Sequence, residues 1–565
     1  MSSTPEPDLK HYVCVRDGVR LYTEVFLPDA GANSFASILI RTPYPPAVIP
    51  YTNRPIAPFL QAGYAVVVQA CRGTWKSQGK FRFMQSEGVD SYDTIEWIAR
   101  QSWSDGKVGM YGASYSGSVQ WLAARLRPPS LHCIAPLAPA AMFFLESPYL
   151  GGVFVKRHFI EWPQLITHDR AISHDSINGS GDPTSPPGSN TSIDMAFSMM
   201  PNEAMLRAVH EPEMADALIE SLQHSTLDDW WKQIILDEQS AQSIDIPSLS
   251  VTGFHDGDQA GCLYAWSVVE QAVPSARSDR FLIVGPWRHD QVSSGQSKDM
   301  GEVEFGSDAS IDMVRTHIGF FDRYLKGQVE EPSIMKRRCQ LFVSGENRWH
   351  CFSDYPPRES IETSLYLQSN GDHGVLTWEL PCSPGSDSFV ADWKNPVPVV
   401  PIGGDSNGQL HRDDLLVFTS EPLEVPITVL GPVSATIFMS VDAPDADLVV
   451  RIEDVRPDGK SINMTGEFGL AAFRARYHKG YDCETLLTPG QIERMKFHVC
   501  HMGHKFQAGH RIRLVVTGTA AQLLDPNHHT GAPVLSAVER RVATETVYCD
   551  ECRSSHISLP ILRGR

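Results

Sequence analysis

Gly112-Ala113-Ser114-Tyr115-Ser116-Gly117 lies between two segments of opposite character. Lys107–Tyr111 before it is a short apolar run with Val108, Met110 and Tyr111, which reads as a strand. Ser118–Leu126 after it carries Val119, Leu122, Ala123 and Leu126 at steps of three and four, which predicts a helix with one apolar face. The serine therefore sits on a tight turn from strand to helix. That is the context of a nucleophile elbow, in which glycines permit the sharp turn and the hydroxyl is pushed out at the edge of a sheet. The first backbone N–H groups of the helix lie beside the same hydroxyl. An ordinary Gly/Ser turn has the same composition, and the second glycine follows Ser114 by three residues, not by the two of a G-x-S-x-G elbow. The elbow reading thus depends on partners elsewhere in the chain.

Those partners occur in the order serine, acid, histidine that α/β-hydrolases use. Ile244–Thr252 is strand-like and ends in Gly253-Phe254-His255-Asp256-Gly257; Arg280–Val284 is strand-like and ends in Gly285-Pro286-Trp287-Arg288-His289. Each run places a polar residue just past a strand, where open α/β sheets hold their sites. Asp256 is the candidate orienting acid and His289 the candidate general base, with His255 the nearest rival among 21 histidines.

Further segments make the chain resemble the cocaine-esterase-like hydrolases, related to Xaa-Pro dipeptidyl-peptidases, α-amino-acid ester hydrolases and some β-lactam acylases. They are Asp17-Gly18-Val19-Arg20-Leu21, Arg41-Thr42-Pro43-Tyr44, Arg72-Gly73 with Ser77-Gln78-Gly79, and Tyr92-Asp93-Thr94-Ile95-Glu96-Trp97-Ile98. Gly106–Met110 leads to the Ser114-Tyr115 elbow, whose extra spacer fits this family, and Gly285-Pro286-Trp287 and Ala508-Gly509-His510-Arg511 match too. The resemblance implies that Tyr44 donates its hydroxyl to an oxyanion hole beside the backbone N–H of Tyr115. It also implies a helical cap inserted into the hydrolase domain and a C-terminal jelly roll. Two positions depart from the family: Ala70 stands where an aspartate is common, and Asp258 stands where an aromatic usually lines the acyl pocket. Asp258 is therefore a rival for the triad acid, or a carboxylate able to pair with a substrate ammonium.

The 565 residues suffice for two to four domains, and 42% hydrophobic with 20% charged residues is the make-up of a globular protein. A net charge of −19 argues against nucleic acid or an anionic membrane as partner, since both are polyanions. Met1–Arg20 lacks the apolar core of a signal peptide, and no run approaches the ~20 apolar residues of a membrane span. Eleven scattered cysteines suggest reduced thiols and a cytoplasmic protein. Strand and helix patterns alternate over 1–141 and again over 242–357. Residues 142–241 lose the strand pattern and read as a helical insertion, within which Asn178–Ser192 is a Gly/Ser/Pro/Asn-rich loop. From 358 to 565 the period becomes two, as in Val433, Ala435, Ile437, Met439 and Val441, which predicts a β-sandwich. The expected fold is an α/β-hydrolase domain with a helical cap, followed by an all-β, jelly-roll-like domain.

Three other motifs compete for attention. Gln69-Ala70-Cys71-Arg72-Gly73 spells a caspase signature, but no histidine lies between His11 and Cys71 to serve as its base. His498, Cys500, His501 and His504 are metal-ligand types on an alternating strand, with spacings that fit no zinc template. Cys549 and Cys552 form a lone C-x-x-C without a βαβ context.

The expectation is therefore a serine hydrolase of carboxylic esters that works through an acyl-enzyme, with catalytic Ser114, Asp256 and His289 and an oxyanion hole of Tyr44 and Tyr115. Trp162, Trp287, Phe144 and Asp258 are the candidate substrate contacts. No metal or organic cofactor is required, the partner is a small acyl substrate, and a homodimer is left open. The alternatives are an acyltransferase or thioesterase using the same acyl-enzyme, a dipeptidyl-peptidase or amino-acid ester hydrolase, and a non-catalytic binding protein.

Overall fold

A chain with several all-apolar runs of β-branched residues must bury both faces of the strands they form, and here helices cover both faces. The computed structural model describes residues 6–29, 33–46, 55–167, 191–328, 335, 337–371, 374–466 and 468–563. Ten strands form the first sheet: β1 (Leu9–Cys14), β2 (Arg20–Phe26), β3 (Phe35–Thr42), β4 (Ala65–Ala70), β5 (Ser104–Ala113), β6 (Leu131–Leu137), β9 (Ser248–Gly253), β10 (Arg280–Gly285), β13 (Cys339–Val343) and β14 (Arg348–Phe352). Two-residue hairpins, β7–β8 (Tyr149–Leu150, Val153–Phe154) and β11–β12 (Asp299–Met300, Val303–Glu304), lie outside it. The strand order is β1-β2-β4-β3-β5-β6-β9-β10-β13-β14, with the inner strands parallel.

Side chains alternate across the sheet, as the pleat requires. Ile38, Ile40, Val66 and Val68 pack on α1 (Ile56–Gln61) and α13 (Met313–Lys326). Leu39, Val67, Val108 and Met110 face the opposite way, into the core that α2 (Glu87–Ala99) and α3 (Tyr115–Ala124) share. The sequence places the second of these helices at Ser118–Leu126; it begins three residues earlier, because Ser114 itself ends the strand-to-helix turn. Gly327, at φ 70°, ends α13 in the left-handed conformation that glycine adopts without strain.

Between β6 and β9 the chain is mostly helical: α4 (Phe143–Glu146), α5 (Lys156–Glu161), a 3₁₀ turn at Trp162–Leu165, α6 (Thr191–Ser198), α7 (Asn202–Val209), α8 (Pro212–Gln223), α9 (Asp229–Lys232) and α10 (Glu238–Ala241). The hairpin β7–β8 is the exception to the strand-free insertion expected there. The loop expected at Asn178–Ser192 lies outside the described residues, except that Thr191 and Ser192 open α6. After β9 and β10 come α11 (Gln259–Ala272) and α12 (His289–Val292).

From residue 360 onward the described chain is β-structure in a twelve-stranded sheet. Its longest pair, Ile427–Val441 with Glu493–Phe506, is antiparallel, and Val433, Ala435, Ile437, Met439 and Val441 all point inward. This C-terminal β domain reaches the ten-stranded sheet through its Glu493–Phe506 strand. There the His501 N–H donates to Gln259 Oε1 at 2.6 Å, and Gly503 lies so close to the Phe254 ring that a Cβ would meet it at 2.4 Å. Lys156 of α5 is fully buried, donating to the Met199 carbonyl at 2.9 Å and facing Asp525 of the β domain at 3.7 Å.

Candidate active site

The C-terminal ends of β5, β9 and β10 carry Ser114, Asp256 and His289. Ser114 has φ 58° and ψ −127°, a conformation that costs a non-glycine residue of order 1–3 kcal/mol and recurs at functional sites. Its neighbours make the turn possible. A Cβ on Gly112 would lie 2.5 Å from that of Ser116, and one on Gly117 would lie 2.7 Å from the Leu137 carbonyl. Tyr115 is the first residue of α3, so its amide lacks a carbonyl partner within the helix. Its phenol points away from the serine and donates to Glu87 at 3.0 Å, and Glu87 pairs with buried Arg41 at 2.6 Å. The strand end before Tyr44 and the residue after Ser114 are thereby tied to one buried ion pair.

Asp256 is fully buried. One of its oxygens accepts from the Thr252 hydroxyl at 2.7 Å; the other accepts the Asp258 N–H at 3.0 Å and faces His289 Nδ1 at 2.8 Å. Asp258 lies farther from the same nitrogen, at 3.7 Å. His255 is elsewhere: its buried ring stacks on Phe305 at 5.8 Å, and burial holds it neutral, with a pKa of about 3.

Tyr44 is buried beside the serine. Its hydroxyl shares a side-chain hydrogen bond with Ser114 and accepts one from Trp162 Nε1 at 2.9 Å. Burial raises its pKa to about 12, against the opposing pull of those two bonds, and the Asp258 charge raises it too. The phenol is a donor, not a phenolate, at any ordinary pH. Trp162 is half-buried, with its ring nearly parallel to Tyr115 at 6.3 Å and to His158 at 5.7 Å. His158 is held at a pKa of about 4 by burial and by the nearby His289, so a neutral imidazole from the cap lies near His289.

Of the four expected substrate contacts, the structure brings Trp162 and Asp258 to the serine and base, and keeps Phe144 and Trp287 away. Phe144 is fully buried among Tyr149, Trp231, Tyr477 and Tyr481, an aromatic cluster joining cap and β domain. Trp287 is fully buried with its ring 5.7 Å from Trp349. A Cβ on Gly285 would lie 2.5 Å from that ring, so the Gly-Pro-Trp sequence is a packing device at the strand end. Both aromatics fill core. Sequence reasoning missed Glu146, which is buried under the start of α11 and accepts the backbone N–H groups of Ala141 (3.2 Å), Met142 (3.1 Å) and Gly261. Burial, and after it the charge of Asp258, pushes its pKa well up. No local motif marks it, because Gly261 is 115 residues away.

The competing motifs are also accounted for. Cys71 is fully buried, and burial pushes its thiol well above the usual range. His501 Nδ1 lies 2.7 Å from the Tyr355 hydroxyl, and His498 packs on His501 at 4.8 Å. His504 belongs to a second Ser-His-Asp set. Ser344 Oγ lies 2.8 Å from His504 Nδ1, His504 Nε2 lies 3.1 Å from Asp454, and the other Asp454 oxygen lies 2.7 Å from His510 Nδ1. Among the described residues no group of three His, Cys, Asp or Glu side chains is arranged to hold a metal ion, and no helix is long and apolar enough to cross a membrane.

Residues 17–291 match the family model of the X-Pro dipeptidyl-peptidases (S15 family), and residues 335–558 match that of the X-Pro dipeptidyl-peptidase C-terminal non-catalytic domain. The chain is 29% identical to the cocaine esterase of Rhodococcus sp. (strain MB1 Bresler) over 586 residues, 98% of each chain. The fold is shared with an aminopeptidase from a marine sediment Thaumarchaeota archaeon (TM-score 0.83, 24% identity, 100% and 98% of the two chains). It is shared equally with an α-amino acid ester hydrolase (TM-score 0.83, 24% identity, 99% and 97%). Fold and site together define a serine hydrolase of the α/β class. Within that class the chain is similar to the cocaine-esterase-like hydrolases, and the likeness spans 98% of its length.

Proposed function

We propose that Ser114 is the nucleophile of an ester hydrolase that forms an acyl-enzyme on a small-molecule substrate. His289 takes the serine proton as the oxygen attacks the carbonyl and returns it to the leaving alkoxide; water repeats the cycle on the acyl-enzyme. Asp256 fixes the imidazole tautomer, because its carboxylate at 2.8 Å keeps the proton on Nδ1 and leaves Nε2 as the base. Tyr44 and the Tyr115 amide receive the charge that develops on the acyl oxygen. The single observation that carries this reading is the strained Ser114 at the elbow, sharing a hydrogen bond with a buried, protonated phenol. A fluorophosphonate probe tests it: one adduct, on Ser114, in the intact enzyme and none in Ser114→Ala. Labelling at another residue excludes the mechanism.

A second reading concerns the substrate. Asp258 is a carboxylate within the site where the family usually has an apolar side chain, and Glu146 stands behind it. The Asp258 carboxylate favours a cationic partner, which supports esters or amides that carry an ammonium group, and its charge adds to the burial that pushes the Glu146 pKa well up. Comparing kcat/KM for an amino-acid ester with that for its N-acetyl analogue decides the matter; equal values remove the ammonium site. The cytoplasm as the site of action is supported by eleven thiols, none of them paired.

A further inference from the structure

Trp162, a side chain of the cap, donates a hydrogen bond directly to the residue proposed above as an oxyanion donor, and that bond has a consequence for the direction of a proton. A phenol oxygen holds one O–H and two lone pairs, whereas an indole offers one N–H and accepts nothing. At 2.9 Å the Trp162 N–H must therefore occupy a lone pair of Tyr44 Oη. We propose that Trp162 is a positioning residue of the oxyanion hole, whose N–H fixes the Tyr44 hydroxyl so that its single proton faces the acyl oxygen above Ser114. The inference rests on the reading of Tyr44 as an oxyanion donor.

Two observations support it. The Tyr44 hydroxyl is within hydrogen-bonding reach of Ser114, so a proton on that oxygen can point to the reacting centre. A donor bonded to a hydroxyl oxygen also polarises that hydroxyl, which strengthens the bond it gives in turn. The indole, moreover, is held. It lies against His158 and Tyr115 on its faces and meets the Phe83 ring edge-on at 5.9 Å. The short helix α5 that precedes it is anchored through Lys156 to the β domain. The ring is thus not free to follow a rotating phenol; the phenol must follow the ring.

The test is a double-mutant cycle on the full chain, using p-nitrophenyl acetate, whose small acyl group needs no aromatic wall, and the second-order rate of fluorophosphonate labelling. Trp162→Phe keeps an aromatic ring and removes the N–H. Replacing Trp162 by β-(3-benzothienyl)alanine keeps the outline and puts sulfur in place of the N–H, so folding is preserved. Both should lower kcat about tenfold, the worth of one ordinary hydrogen bond, with KM changed far less and the melting temperature unchanged for the benzothienyl variant. In a Tyr44→Phe background the Trp162 replacements should cost nothing further in kcat or in labelling rate. An unchanged kcat for the benzothienyl variant overturns the proposal, as does a loss that multiplies onto that of Tyr44→Phe. A Tyr44→Phe enzyme with normal kcat and normal labelling rate instead defeats the oxyanion reading itself, and the inference with it.

Discussion

The molecule contains the same three residue types in two places, and their surroundings differ in every respect that chemistry needs. Ser114 stands on a strained turn at the end of a central parallel strand, followed by a helix and faced by a phenol. Ser344 lies just past β13, buried against the C-terminal β domain, and its hydroxyl is within 3.0 Å of the Gly503 carbonyl as well as 2.8 Å of His504. His289 Nδ1 meets the Asp256 carboxylate at 2.8 Å, whereas Asp454 bridges His504 and His510. The first set is arranged around a place where an acyl carbon can sit. The second is closed on itself and joins two domains. A Ser-His-Asp contact list is therefore a poor guide to a nucleophile; the backbone conformation of the serine and the donors around it discriminate.

The most severe way to break this contrast is to exchange the fates of the two serines. Ser114→Ala should lower kcat by about 10⁴–10⁶ while leaving the melting temperature within a degree or two. Steady-state hydrolysis of p-nitrophenyl esters checks it, and appreciable residual turnover would mean that Ser344 or another group acts as nucleophile. The acid sharpens the comparison next. Asp256→Asn should cut kcat on every substrate by up to about 10⁴, because the imidazole then favours the wrong tautomer. If Asp258→Asn is the damaging change instead, the 3.7 Å contact outranks the 2.8 Å one and the assignment is reversed.

Smaller effects separate the surroundings of the two sets. Tyr44→Phe removes the proposed oxyanion donor and little volume, so kcat should fall by about 10²–10³ with KM nearly constant. Asp258→Asn should spare neutral esters and weaken only ammonium-bearing ones, which a paired kcat/KM measurement reads directly. The least effect on turnover should come from the second set: Ser344→Ala should leave kcat unchanged and cost about 1–3 kcal/mol of stability, since it strands a buried imidazole nitrogen.

Acid adds a signature to that last prediction. Burial raises the Asp454 pKa, but its bonds to His504 and His510 outweigh burial and leave it below the usual carboxylate value. A carboxyl with a depressed folded-state pKa stabilises the fold fully above its unfolded pKa of about 3.9 and loses that contribution as the pH falls through the folded value. Denaturant titrations of the wild type should show this loss below about pH 4. Asp454→Asn should show a lower plateau at neutral pH and a flatter acid limb. Identical acid limbs would mean that Asp454 contributes nothing by its charge.

What the amino-acid order made legible was everything that depends on short spacing: the glycines around Ser114, the polar residues just past β9 and β10, the period-two run at Val433–Val441. Tyr44 and the Tyr115 amide came from resemblance, not from spacing. Illegible were features made by residues far apart in sequence. Trp162 meets Tyr44 across 118 positions and Glu146 meets Gly261 across 115, and no periodicity encodes either contact. The aromatics misled for a related reason: Phe144 belongs to the helical insertion and Trp287 lies two residues before His289, but a large apolar ring is retained most often by burial, and both are buried.

The bond between the His501 N–H and Gln259, and the fit of Gly503 against Phe254, bear on how this enzyme could be taken apart. Gln259 also donates to the Phe254 carbonyl at 2.7 Å, so a strand of the β domain braces the loop that presents Asp256. The C-terminal domain is then not a detachable accessory. A catalytic half grafted onto a foreign partner would keep its elbow and lose the tension on its acid, and shuffling domains between relatives should succeed only where this seam is carried across intact.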